Sequence, residues 1–222
     1  MSSQELSVTS PKPLLRGWLH AVGAVAALIT TIILLVETAG DLPRFLSLLV
    51  FGLSMNLLYV VSAIYHLGTW PERQRIVLRT LDHANIFIFI AGAYTPIAVI
   101  LFSGTPRITL LVVIWSLALV GAAASFVTLR LPRWVLTLLY IGMGWIALFL
   151  IPQLYQSISL QPVLLLITGG LLYSLGGLIY ALRWPNPLPQ IFGFHELFHL
   201  LVIAGTVAIT ATIWVWIVPF NS

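Results

Sequence analysis

The sequence contains 222 residues, of which 60% are hydrophobic and 7% are charged, with a formal net charge of +4 and a mean hydropathy of +1.06. Soluble domains carry about 25% charged residues, so this composition excludes a water-soluble fold and indicates an integral membrane protein. Cysteine is absent, which excludes disulfides and thiolate ligands to a metal. The Lys and Arg residues are scattered at the ends of apolar runs, which argues against a nucleic-acid partner.

A polar segment opens the chain, and apolar runs then alternate with turn sequences. Residues 1–15 predict a disordered N-terminal tail, and residues 16–218 predict a single transmembrane domain. Runs of about 20 apolar residues can cross a bilayer as helices. Seven runs meet this requirement: 17–37, 44–66, 81–102, 108–129, 134–151, 162–182 and 194–217. Continuous runs of this length disfavour a β-barrel. The predicted fold is therefore an all-α integral membrane protein, a seven-transmembrane helix bundle.

Basic residues predict how this bundle is oriented, because Lys and Arg are enriched on the cytoplasmic side of a membrane. With an odd number of spans, the two termini lie on opposite sides. If the N-terminus is cytoplasmic, eight basic residues lie inside and only Arg44 and Arg107 lie outside. The eight are Lys12, Arg16, Arg73, Arg75, Arg79, Arg130, Arg133 and Arg183. We therefore predict a cytoplasmic N-terminus and an external C-terminus.

Ionisable residues within the spans fall at one predicted depth. His66 ends the second span with Ser62 one turn earlier, while Asp82 and His83 begin the third. The seventh span begins with His195, Glu196 and His199. In the predicted orientation all of these residues lie near the cytoplasmic face. Because charged or polar side chains are costly in a membrane, those that do occur there usually mark a functional site.

The spacing of the histidines predicts a metal site. His195 and His199 are four residues apart and therefore lie on one face of a helix, about 6 Å apart along its axis. Together with His66 they offer three imidazoles and leave one coordination position open, an arrangement typical of catalytic zinc. Zinc would lower the pKa of a water molecule in that position to roughly 7. Asp82 would accept a proton or orient the water, and Ser62 would hydrogen-bond the water or a substrate carbonyl.

Other readings of these residues remain open. Residues 195–199 also match H-E-x-x-H, the metalloprotease motif in which the Glu is a general base. An intramembrane metalloprotease, with a third ligand from His66 or Asp82, is therefore an alternative. His20 and His83 are predicted to be interfacial or packing histidines rather than ligands, and Asp82 alone could serve the N-terminus of its helix.

Several segments together resemble the bacterial hemolysin III family, which is related to the progestin and adipoQ receptors and more distantly to the alkaline ceramidases. They are RGWLH at 16–20, SAIYH at 62–66, LDHANIF at 81–87, IAGAYTP at 90–96 and FHELFH at 194–199. The resemblance implies seven transmembrane helices with the N-terminus inside, in a bacterial inner (plasma) membrane. It also implies zinc held by His66, His195 and His199, with Ser62 and Asp82 near the metal-bound water.

The ceramidase relationship implies a zinc-dependent hydrolase acting on a lipid amide or ester, with membrane lipid as its substrate or ligand. Two other functions are consistent with the same resemblance. One is a cytolysin or channel, as the family name suggests. The other is a lipid-homeostasis receptor or sensor in which zinc is structural. Neither the substrate nor any protein partner can be predicted from the sequence.

Overall fold

A computed structural model describes residues 13–127 and 133–220, and it consists of helices joined by short loops. In the described residues the only β-structure is an isolated bridge between Leu188 and Phe192. The helices are α1 (Trp18–Glu37), α2 (Leu42–Leu67), α3 (Glu72–Leu101), α4 (Gly104–Val127), α5 (Arg133–Gly144), α6 (Ile151–Ile158), α7 (Leu160–Leu182) and α8 (Phe194–Thr212). A 3₁₀ segment, Trp145–Leu150, joins α5 to α6, and a π segment, Ile213–Ile217, extends α8.

Seven helical segments are long and apolar enough to cross a membrane, with α5, the 3₁₀ segment and α6 forming the fifth. The predicted seven-helix class is therefore confirmed. Large hydrophobic side chains cover the outside of the bundle, and on α1 alone Val22, Val25, Leu28 and Ile32 are more than half exposed. A soluble protein would not leave so large an apolar surface uncovered, whereas lipid tails solvate it.

Two span boundaries differ from the predicted ones by more than four residues. Helix α3 begins at Glu72 rather than at 81, because its first turns are polar and the hydropathy criterion excluded them. The fifth span continues to Ile158 rather than ending at 151, since Pro152 lies in the first turn of α6 and does not interrupt the helix there. The last two residues of the predicted fourth span, 128 and 129, lie outside the described residues.

Helix α3 is the centre of the bundle. In the most apolar 18-residue window of α3, 78% of the residues are buried, compared with 11% in the corresponding window of the fifth span. Small residues allow this close packing: a Cβ added to Gly92 would lie 2.0 Å from the Ser54 hydroxyl of α2. Helices α2 and α4 pack against α3, while α1 contacts both α2 and α8, and α7 packs along α8. The first turns of α3 and α8 are thereby brought close to the end of α2.

Hydrogen bonds tie both termini to the ends of the bundle. The Leu14 and Leu15 amides donate to the carbonyls of Gln190 and Ile191 in the loop before α8, at 3.0 and 3.2 Å. At the opposite end, the Arg44 guanidinium donates to the Val218 carbonyl at 2.8 Å. The first and last described residues therefore lie at opposite ends of the bundle, as an odd number of spans requires. We call the end that carries residues 14–20, 62–83 and 188–199 the histidine end.

Candidate metal centre

Two helices, α2 and α8, bring the three histidines to one point. His66 lies in the last turn of α2, where it is 8% exposed. His195 and His199 lie in the first two turns of α8, and His199 is only 3% exposed. One ring nitrogen from each of the three lies within 4.8 Å of the others, and the Nε2 atoms of His66 and His195 are 3.1 Å apart. The structure thus brings together the three residues that the sequence predicts as ligands.

This geometry fits a metal ion. Zinc–nitrogen bonds of 2.0–2.1 Å in a tetrahedral site separate neighbouring ligand nitrogens by about 3.3 Å. The observed 3.1 Å between His66 and His195 is close to that value, and the 4.8 Å limit on the third nitrogen requires only a small side-chain adjustment. Imidazole nitrogen is also a ligand that transition metals prefer. The three histidines therefore form a group that could hold a metal ion.

Asp82 and Ser62 lie beside this group. The Asp82 Oδ2 atom is 3.8 Å from His66 Nε2, and its side chain is 15% exposed. Ser62 is 2% exposed, and its side chain lies beside the Asp82 carboxylate. Although α3 begins earlier than predicted, Asp82 lies at the level of His66. A carboxylate oxygen therefore lies 3.8 Å from one ring nitrogen of the group.

Glu196 does not belong to the group of three histidines. Its side chain is 1% exposed and forms an ion pair with Arg16, while its Oε2 atom accepts the Gly193 amide proton at 2.8 Å. Glu196 therefore caps its own helix and binds the segment before α1. The sequence contains a signal for this role, because a Glu at the third helical position commonly reaches back to the N-cap amide. The geometry does not favour a general base here, as the H-E-x-x-H alternative would require.

His20 and His83 were predicted to be packing histidines, and His20 lies closer to the centre than that prediction implies. The His20 ring stacks on the His199 ring with centroids 3.7 Å apart and planes 8° apart. It does not belong to the group of three nitrogens. His83 is half-buried, and its carbonyl accepts the Tyr140 hydroxyl proton at 3.2 Å. Sequence reasoning missed the His20 contact because it depends on how α1 packs against α8.

A long apolar cavity opens beside the histidines, with Ser62, Asp82, His195 and His199 in its wall. Its volume is about 190 Å³, and its wall continues to Leu154 and Ile209. Ile209 lies ten residues beyond His199 on α8, so the cavity extends about 15 Å from the histidines at 1.5 Å per helical residue. Most of the lining side chains are apolar. The cavity is suited to a hydrocarbon chain whose polar end lies at the histidines.

Comparison with known proteins agrees with this architecture. A family model described as Haemolysin-III related matches residues 8–210. Hemolysin-3 from Bacillus cereus is 33% identical over 205 residues, covering 91% of this chain and 90% of that protein. The Hemolysin-3 homolog from Bacillus subtilis (strain 168) is 34% identical over 193 residues, covering 85% and 86%. The human monocyte to macrophage differentiation factor is 24% identical over 202 residues, covering 88% and 80%.

The predicted resemblance is therefore confirmed. Seven apolar helices and close bacterial relatives identify a multi-pass integral membrane protein and support its placement in the bacterial plasma membrane. The family match spans both ends of the site, from the segment around His20 to α8. The chain belongs to the haemolysin III-related family.

Proposed function

We propose that this protein is a zinc-dependent hydrolase of a lipid amide or ester. One observation carries the proposal: three imidazoles and the Asp82 carboxylate converge at the head of an apolar cavity about 15 Å long. A structural metal site would need neither the cavity nor an adjacent carboxylate. His66, His195 and His199 would hold zinc, which when bound would supply Lewis acidity and lower the pKa of a nearby water.

The side chains of the protein bind the substrate and transfer the proton. The cavity accommodates the acyl chain, because its apolar wall can replace the lipid tails around that chain, and so places the amide or ester group at the histidines. Asp82 Oδ2 accepts a proton from the attacking water and returns it to the leaving nitrogen or oxygen. Ser62, whose side chain lies beside the Asp82 carboxylate, orients it. Water is consumed, the bond from the acyl carbon to nitrogen or oxygen breaks, and a fatty acid leaves with an amine or alcohol.

Metal analysis is the first test. Detergent-purified protein should contain about one zinc per chain, and His195→Ala should lose most of it, because binding depends on the full ligand set. His83→Ala is a matched control, since it removes a neighbouring histidine that lies outside the group of three. Wild-type protein that contains no metal after purification without chelators would refute the proposal.

Hydrolysis is the second test. Zinc-loaded protein should release fatty acid from at least one lipid amide or ester in a broad panel, and Asp82→Asn should lower that rate by about 10²–10⁴-fold with zinc retained. Asp41→Asn is the control, because Asn caps a helix as well as Asp does and Asp41 caps α2 at the opposite end. Zinc-loaded protein that hydrolyses nothing in the panel would favour a sensor with structural zinc.

A cytolysin is the second candidate, because the two Bacillus relatives are named for haemolysis. Seven lipid-facing helices are those of a resident membrane protein, which cannot easily leave one membrane to attack another. Dye release from liposomes after external addition of purified protein would support cytolysis. The expected result is no release.

We also propose that the histidine end faces the cytoplasm, on the strength of the basic residues that lie there. The chain contains no cysteine, so single cysteines can report the orientation. Arg75→Cys, where the side chain is 59% exposed, should react with a membrane-impermeant maleimide only after cells are permeabilised. Arg107→Cys, near the start of α4, should react in intact cells. The reverse pattern would place the histidine end outside.

A further inference from the structure

We propose that His20 is a positioning residue for the metal centre: its ring holds the His199 ring flat in the orientation that binding requires. The inference rests on the proposed metal site. His20 is only 3% exposed. An apolar residue could fill the same space if the histidine served only for packing. It lies face to face with His199, at 3.7 Å between centroids and 8° between planes, and edge-on to Tyr59 at 5.0 Å.

Within the described part of the chain, His199 lacks the hydrogen bond that usually orients a histidine ligand. Histidine ligands are usually oriented by a hydrogen bond from the ring nitrogen that does not bind the metal. The Nε2 atoms of His66 and His195, 3.1 Å apart, are the ones that would face the metal, so their contact is not such a bond. Among the described residues, none forms a hydrogen bond with either ring nitrogen of His199. A flat neighbour that restricts ring rotation therefore takes the place of the missing hydrogen bond.

Three contacts fix His20 in this position. Gly17 begins α1 with a positive φ of 87°, and a Cβ there would lie 2.9 Å from the His66 Cβ. Arg16 pairs with the buried Glu196 of α8. One turn beyond His20, a Cβ added to Gly23 would lie 3.1 Å from the Tyr59 ring. The start of α1 is thus held against α2 and α8 on both sides of His20, and the ring stack is set by rigid helices.

Direct binding of the same ion by His20 does not fit the geometry. Its nitrogens fall outside the group whose members lie within 4.8 Å of one another. The nitrogen lone pairs of two parallel rings also lie in parallel planes, so they do not point toward one ion. Both His20 nitrogens are buried and unpaired among the described residues, so the ring face, rather than a nitrogen, makes the contact with His199.

Metal binding and stacking should reinforce each other. Coordination to a cation withdraws electron density from the His199 ring, and an electron-poor ring is attracted to the face of a neutral one. Face-to-face pairs of like rings are otherwise less favourable than offset or edge-on pairs. If the metal strengthens the stack, the stack must strengthen metal binding by the same factor. Loss of the ring at position 20 should therefore weaken metal affinity.

The test compares ring shape with ring chemistry at position 20. His20→Ala and His20→Leu remove the flat ring, whereas His20→Phe keeps a flat ring without nitrogens. Affinities for Zn²⁺ and Co²⁺ are measured by competition with a chelator in detergent, and the visible spectrum of the Co²⁺ form reports the ligand set. Val22→Ala, at a lipid-facing site on α1 that is 69% exposed, is the control. Size-exclusion profiles identify variants that remain folded.

The expected result is at least about a 10-fold loss of affinity in the Ala and Leu variants, with an unchanged Co²⁺ spectrum at saturation. His20→Phe and Val22→Ala should bind close to the wild type. Unchanged affinity in His20→Ala would overturn the inference while leaving the proposed function intact. A His20→Phe variant as weak as His20→Ala, with an altered Co²⁺ spectrum, would make His20 a ligand and overturn it too. Wild-type protein that binds neither ion would refute the metal site itself.

Discussion

Glu196→Gln distinguishes the structural role of this residue from a catalytic one. The substitution keeps the size of the side chain and one oxygen that can accept the Gly193 amide proton. In the wild type the Gly193 nitrogen lies 2.8 Å from Oε2 of Glu196. It removes the negative charge that pairs with Arg16. Because the pair joins the start of α1 to α8, its loss should loosen the histidine end rather than stop a chemical step.

The size of the effect follows from burial. Removing one partner of a fully buried ion pair costs about 3–5 kcal/mol. Glu196 is 1% exposed, but Arg16 is 22% exposed and can be partly rehydrated. A hydrogen bond to a charged group contributes about 1.5–3 kcal/mol, so a loss of about 2 kcal/mol is expected. For a chain of this size that corresponds to a fall in melting temperature of about 4–8 °C.

Thermal unfolding of the zinc-loaded protein in detergent is the assay, with zinc content and lipid hydrolysis measured on the same samples. Glu72→Gln is the matched control, because Glu72 pairs with Arg75 at the same end but both are well exposed, and such pairs contribute at most about 1 kcal/mol. Glu196→Gln should be less stable but retain zinc and activity below its melting temperature. An unchanged melting temperature with zinc retained and activity abolished would show that Glu196 is a general base, as in H-E-x-x-H metalloproteases.

Three further results are expected. Tyr59→Phe, which loses a 2.7 Å hydrogen bond to the buried Thr206 hydroxyl, should lower the free energy of unfolding by about 1 kcal/mol without changing zinc content; an unchanged stability would contradict the assigned bond. Gly92→Ala should be strongly destabilising in the same unfolding assay, since its Cβ would lie 2.0 Å from the Ser54 hydroxyl, whereas Gly142→Ala, with nothing within 4 Å, should be neutral or stabilising. Zinc content after dialysis at a series of pH values should fall as the pH decreases, because protons compete for imidazole nitrogens; retention of zinc at strongly acidic pH would argue against histidine ligands.

Features encoded locally could be predicted well. Hydropathy over about 20 residues is a property of the segment itself, and it predicted seven spans, which the structure confirms. It failed at the start of α3, where the polar turns around Arg73 and Arg75 are helical, because a helix continues beyond the membrane when its backbone hydrogen bonds can form in water. The depth of His66, Asp82 and His195 was also predictable, since each lies at the end of a span.

Features that depend on contacts between helices could not be predicted. The Glu196 side chain has a local reason to face Gly193, but its pairing with Arg16 joins residues separated by 180 positions. The cavity has no signal in the sequence, because most of its lining, apart from the residues of the site, reads as ordinary apolar helix positions. Its existence depends on how the fifth span and α7 are spaced around α3.

By itself, the sequence determined the membrane class, the number of spans and the shared depth of the histidines, because hydropathy and the helical repeat act over a few turns. It also determined that His195 and His199 lie on one face of α8. Only the tertiary structure decided which face of α2 and of α1 turns toward them. That rotation is set by close packing at Gly17 and Gly23, and it brings the nitrogens of His66 and His195 to 3.1 Å and stacks His20 on His199.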